Sequence, residues 1–172
     1  MKKIILMLAF IGMIVLQGCT GPQGVPGQNG QDGLISEVWE YTNVNFVPNG
    51  FSVLLNFHHT IYTSDMVLVY RLSGSDNGAD VWKLLPENFY YNDGTLDFGY
   101  NFDFTQYNAY VYMIGNNLST VPAQNSLNQV IRIVVVPGYF GNKSSNNLDF
   151  SNYNAVSKFF KLDQAKLISQ KM

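Results

Sequence analysis

Beyond Gly33, hydrophobic and polar residues alternate along most of the chain with the two-residue period of half-buried strands. Phe51, Val53, Leu55 and Phe57 fall on one face of a first clear run. Leu96, Phe98, Tyr100, Phe102 and Phe104 fall on one face of another, with Asp97, Gly99, Asn101 and Asp103 opposite. The pattern predicts strands over 37–46, 51–57, 66–72, 81–85, 88–91, 95–103, 109–114 and 129–136. Pro48-Asn49-Gly50, Asn92-Asp93-Gly94 and Pro137-Gly138 are turn signals between or after them. The first of these turns predicts a hairpin between 37–46 and 51–57. The run Val130-Ile131-Arg132-Ile133-Val134-Val135-Val136 is apolar on both faces for most of its length, which predicts a central strand.

About eight short strands without strand–helix–strand alternation predict an all-β fold, an antiparallel β-sandwich. Only the end of the chain reads as helical, over 154–160 and 164–169, with Asp163 the expected N-cap of the second helix.

The first 33 residues have a different pattern. Met1-Lys2-Lys3 precedes an apolar run from Ile4 to Leu16, broken only by Gly12. A short basic start and an apolar run of this length read as a secretory signal over residues 1–18. The run is shorter than the ~20 apolar residues that span a bilayer comfortably. Leu16-Gln17-Gly18-Cys19 resembles the lipobox of bacterial lipoproteins. That resemblance implies cleavage before Cys19, diacylation of its thiol, acylation of the new N-terminus and anchorage to a membrane. It would also account for a lone cysteine, which has no intrachain disulfide partner. The alternative is an ordinary signal followed by an incidental cysteine.

Residues 19–33 read as a tether. Gly21, Gly24, Gly27, Gly30 and Gly33 stand three apart, the period of the collagen triple helix. With only Pro22 and Pro26 to stiffen them, these triplets read as a solvated linker reaching at most ~40 Å. Triple-helix formation would need a homotrimeric domain behind it to raise the effective concentration of the tails.

Residues 34–172 suffice for one domain with its own core. Without Lys2 and Lys3 the chain carries 8 basic and 12 acidic side chains, a net of −4. No basic patch remains, so nucleic acid is excluded as a partner.

The ordered series "SDMVLVYRL", "DVWKLLPE", "LDFGYNFDFT", "IRIVVVPG" and "YNAV", behind a lipobox and a few Gly-x-y triplets, resembles small Bacteroidetes envelope lipoproteins labelled collagen-like. The resemblance implies an outer-membrane address, facing the periplasm or the cell surface. It carries no catalytic residue with it.

Candidate chemistry is sparse. His58 and His59 are the only histidines, and neighbours on a strand point to opposite faces. No second His or Cys cluster completes a metal site. No G-x-S-x-G elbow is present, and no carboxylate pair stands out. We therefore expect no catalytic activity, no metal and no cofactor.

Asp76, Asn77 and Asp80 gather oxygen ligands as a calcium loop would, but an Asx turn explains them equally well. Arg71 and Arg132, the only arginines, sit within apolar strands and need carboxylate or carbonyl partners there. The expectation is structural ion pairs, with Asp97, Asp103 and Glu87 as partners. An acidic ligand clamp is the functional alternative. Tyr90 and Tyr91, with Tyr107, Tyr110, Tyr112 and Tyr139, could supply an aromatic platform for a glycan or a protein partner, or merely cover a sheet face that suits tyrosine. The expected role is structural or interactive, with a glycan- or calcium-binding module as the alternative.

Overall fold

A computed structural model describes residues 35–138, 140 and 148–172. The expected signal, Cys19, the expected tether and Tyr139 lie outside the described residues. The described residues contain nine strands: β1 (Glu37–Val44), β2 (Ser52–Asn56), β3 (Met66–Asp76), β4 (Ala79–Leu84), β5 (Glu87–Tyr90), β6 (Leu96–Phe104), β7 (Asn108–Gly115), β8 (Gln129–Val136) and β9 (Leu167–Lys171). The described residues also include two helices, α1 (Ala123–Ser126) and α2 (Tyr153–Phe160), and short 3-10 turns at Leu118–Thr120 and Leu162–Gln164.

The strands form a β-sandwich. One sheet has the order β4-β3-β8-β1-β9 and the other β2-β7-β6-β5. All pairings are antiparallel except β1 with β9. The inner faces meet in one core. Trp39, Tyr41, Val69, Ile131 and Ile133 come from the five-stranded sheet, and Leu55, Phe98, Tyr100, Val111 and Met113 from the four-stranded one. Burial of this apolar area stabilises the sandwich by roughly 25 cal/mol per Å².

β8 is central, between β3 and β1. Ile131, Ile133 and Val135 face the sandwich core. Val134 and Val136 face a second buried cluster that includes Val156 and Phe160 of α2 and Leu162. The helical layer on that outer face explains why both sides of β8 are apolar. α2 starts at Asn152, whose side chain accepts from Ala155 N–H at 3.1 Å, and ends at Lys161 in the left-handed conformation.

Two expectations are corrected. β1 and β2 do not form a hairpin: β1 pairs with β8 and β9, and β2 with β7 in the other sheet. The Pro48-Asn49-Gly50 turn reverses the chain between the sheets. The second predicted helix is absent. Residues 162–164 form a 3-10 turn and 167–171 form β9, which pairs with the edge of β1. Partner availability at that edge overrides local helical preference. Asp163 accordingly caps no second helix.

Candidate functional site

Strand alternation fixes what the four-stranded sheet presents outward. Phe98, Tyr100 and Phe102 point inward, so Asp97, Asn101 and Asp103 of β6 point outward. Tyr112 is opposite Asn101, and Tyr110 is opposite both Asp103 and Leu54. Asn88 is opposite Gly99 and donates to the Tyr90 hydroxyl at 3.3 Å. Tyr90, Tyr110 and Tyr112 therefore share one face. Tyr91 joins them at its margin, where a hydrogen bond to Asp97 raises its pKa above the usual phenol value. The Tyr110 and Tyr112 rings lie 5.5 Å apart, and Tyr110 donates to Ser52 Oγ at 2.8 Å. Partial desolvation and the nearby Asp103 raise the Tyr112 pKa. Tyr90 and Tyr91 are more than half exposed, and Leu54 and Tyr110 are exposed as well. The buried clusters place neither helix on this face.

The loop beside Tyr91 is ordered by its own chemistry. Asp93 Oδ1 accepts from the Thr95 hydroxyl at 2.7 Å and the Thr95 N–H at 2.9 Å. These bonds hold the Asp93 pKa below the ordinary carboxylate value.

Asp76, Asn77 and Asp80 are at the exposed tip of the β3–β4 hairpin. Asp76 pairs with Ala79, leaving Asn77 and Gly78 as a two-residue loop with φ of 49° and 84°. Positive φ at both positions is the signature of a type I′ turn, which Asn-Gly favours. Asn77 donates to Asp76 Oδ1 at 3.1 Å. No cluster of three or more His, Cys, Asp or Glu suited to a metal occurs among the described residues. No hydrogen bond or ring contact joins this tip to Tyr90 or Tyr91.

His58 and His59 follow β2 in a loop. His59 pairs with Glu37, while the His58 ring stacks beside Tyr41 at 6.2 Å.

Arg71 faces inward at an open end of the sandwich, and only 7% of it is exposed. Its Nε donates to Glu87 Oε2 at 2.9 Å, and Nη1 donates to Leu72 O at 3.3 Å and Gln129 Oε1 at 3.1 Å. The guanidinium carbon lies 4.7 Å from the Tyr100 ring centre, a cation–π contact. Burial pushes the Tyr100 pKa up to about 12, against the lowering effect of Arg71. Gln129 Nε2 in turn donates to Gln124 O and Leu127 O, tying α1 to the pair. The pair forms part of the lining of a cleft of about 740 Å³, walled by β3, β5, α1 and the start of β8. The sequence named Glu87 as a partner, but not Gln129 or the cleft.

Arg132 points to the opposite side of the five-stranded sheet and bonds Glu40 at 2.6 Å. Glu40 was not among the carboxylates expected there. The two are direct cross-strand neighbours, a relation that appears only once β1 is registered against β8.

No protein-family model, curated protein or solved structure matches the chain.

Proposed function

We propose that the chain is a lipid-anchored cell-envelope protein with an interaction role, attached through Cys19 and spaced from an outer membrane by residues 19–33. The β-sandwich binds a partner and carries out no reaction. One observation supports the interaction role above others: Tyr90, Tyr91, Tyr110 and Tyr112 gather on one sheet face that no described helix covers. Tyrosine gives large contact area at small entropic cost and keeps a polar end for the rim of an interface.

The role is tested in cells by a photoreactive phenylalanine at position 110. A discrete cross-linked species should form from position 110 and not from exposed position 166. Equal labelling from both, or none from 110, overturns the interaction role. The anchor is tested separately. Cys19→Ser should move the protein out of the detergent phase or leave it unprocessed, and unchanged membrane association overturns the lipid.

A second reading, a glycan-binding surface, is favoured by Asp97, Asn101 and Asp103 between the tyrosine strands. Amides and carboxylates beside aromatic rings suit sugar hydroxyls and ring faces.

A further inference from the structure

The Arg71–Glu87 pair has unused hydrogen-bonding capacity. A guanidinium carries five N–H donors. Glu87, Leu72 and Gln129 take three of them, all from Nε and Nη1. Nη2 donates to nothing among the described residues. It is not sealed either, because Ser36 Oγ is the only fully buried side-chain polar atom without a partner among the described residues. Glu87 Oε2 takes the Arg71 bond, while Glu87 Oε1 has no partner among the described residues. Both residues line the cleft. An obligate donor and an obligate acceptor therefore line the cleft together, held by the Tyr100 ring and by Gln129.

We propose that this cleft binds a neutral saccharide, with two vicinal hydroxyls bridging Arg71 Nη2 and Glu87 Oε1. A hydroxyl both donates and accepts. Adjacent hydroxyls on one ring can serve the donor and the acceptor together. An anion would gain from Arg71 but meet Glu87, which already neutralises it. Among the described residues, the rest of the lining contains no Lys, His or second acid. It contributes Ser73, Gln124, Asn125 and Asn128, whose side chains make no hydrogen bond to the described residues and suit further hydroxyls. Phe89 lines the cleft too and offers an apolar ring surface. The volume falls within the ~300–1,000 Å³ usual for ligand sites. The proposal rests on neither the lipid anchor nor the tyrosine face.

The test uses the full chain in mild detergent, screened against neutral oligosaccharides, acidic oligosaccharides and peptides, with affinities by calorimetry. A neutral saccharide should bind. Its analogue lacking one of the two hydroxyls should bind at least tenfold more weakly. Arg71→Lys keeps the charge but removes the fork, and should also weaken binding at least tenfold. Gln124→Trp places a bulky ring in the cleft wall without touching the pair. It should block binding and keeps the test decisive if Arg71→Lys fails to fold. Binding of no neutral saccharide, or of acidic saccharides or peptides alone, overturns the proposal. So does saccharide binding lost in Tyr110→Ala but kept in Arg71→Lys and Gln124→Trp, which would move the ligand to the tyrosine face and leave the interaction role standing.

Discussion

The guanidinium carbon of Arg132 lies 3.8 Å from the centre of the Trp82 ring, on the face of the five-stranded sheet that α2 covers. The same side chain bonds Glu40 Oε2 through Nη2 at 2.6 Å and through Nε at 3.2 Å, and donates to the Tyr153 hydroxyl at 2.9 Å. Arg132 thus connects β8, β1, β4 and α2. Each partner is of a different kind: a carboxylate, an indole face and a phenol.

Arg132→Ala leaves Glu40 largely buried without its cation and uncovers Trp82. It should cost about 3–5 kcal/mol. Arg132→Met keeps packing against the indole and should cost less. The double variant Arg132→Met with Glu40→Gln removes the stranded charge and should recover part of the loss. Urea unfolding of the four proteins checks the order. Equal midpoints for Arg132→Ala and the wild type would show that the network adds nothing to stability.

Much of the sandwich was legible because its strands are chemically explicit. β6 alternates strictly, and β8 is apolar on both faces because a sheet core lies on one side and α2 on the other. Pairing was less legible. The turn at Pro48-Asn49-Gly50 reports a reversal but names no partner for β1, whose true partners lie about ninety or more residues further on. The expected helix over 164–169 missed β9 because local preference cannot see the edge of β1. The tyrosines of β5 and β7 share a face only after both strands are registered on β6. The cleft joins residues from both sheets to α1, and no sequence spacing encodes that meeting.

Ser36 is 1% exposed, and its hydroxyl has no partner among the described residues. A buried polar atom left unsatisfied carries a desolvation cost of about 1–3 kcal/mol. Ser36→Ala deletes the hydroxyl and leaves the Cβ in place. It should raise stability, by about 1 kcal/mol after the small loss of packing. A melting temperature that falls instead would show that the hydroxyl is satisfied.

Gly99 is needed for close approach, not for an unusual backbone angle. A Cβ there would lie 2.3 Å from Asn88 Oδ1 and 2.9 Å from the Glu87 carbonyl oxygen. Asn88 can swing away, but the carbonyl belongs to the β5 backbone beside the cleft. Gly99→Ala should cost about 1–3 kcal/mol and speed amide exchange in β5 more than in β7. Uniform exchange with no loss of stability would contradict the geometry.

His59 makes stability depend on pH. Its Nδ1 is 3.0 Å from the Thr60 carbonyl oxygen, and Nε2 is 2.8 and 2.9 Å from the two Glu37 oxygens. Only the protonated ring donates from both nitrogens. The Thr60 carbonyl contributes most to raising its pKa above 6.5, followed by the Glu37 hydrogen bond, with Asp65 adding a smaller effect and partial desolvation opposing. Trp39 also faces the pair, donating to Glu37 Oε2 at 3.2 Å. The folded state holds the proton more tightly than the unfolded chain, so the contribution is complete below about pH 6.5. It is lost as pH rises through the higher folded value. Because the His59 side chain is half exposed, water screens the pair and the effect is a few tenths of a kcal/mol. His59→Gln should therefore lie closer to the wild type in urea midpoint at pH 8.5 than at pH 5.5. A wild-type advantage that grows toward pH 8.5, or an NMR titration placing the His59 pKa below 6.5, would show that the ring does not donate to both oxygen partners.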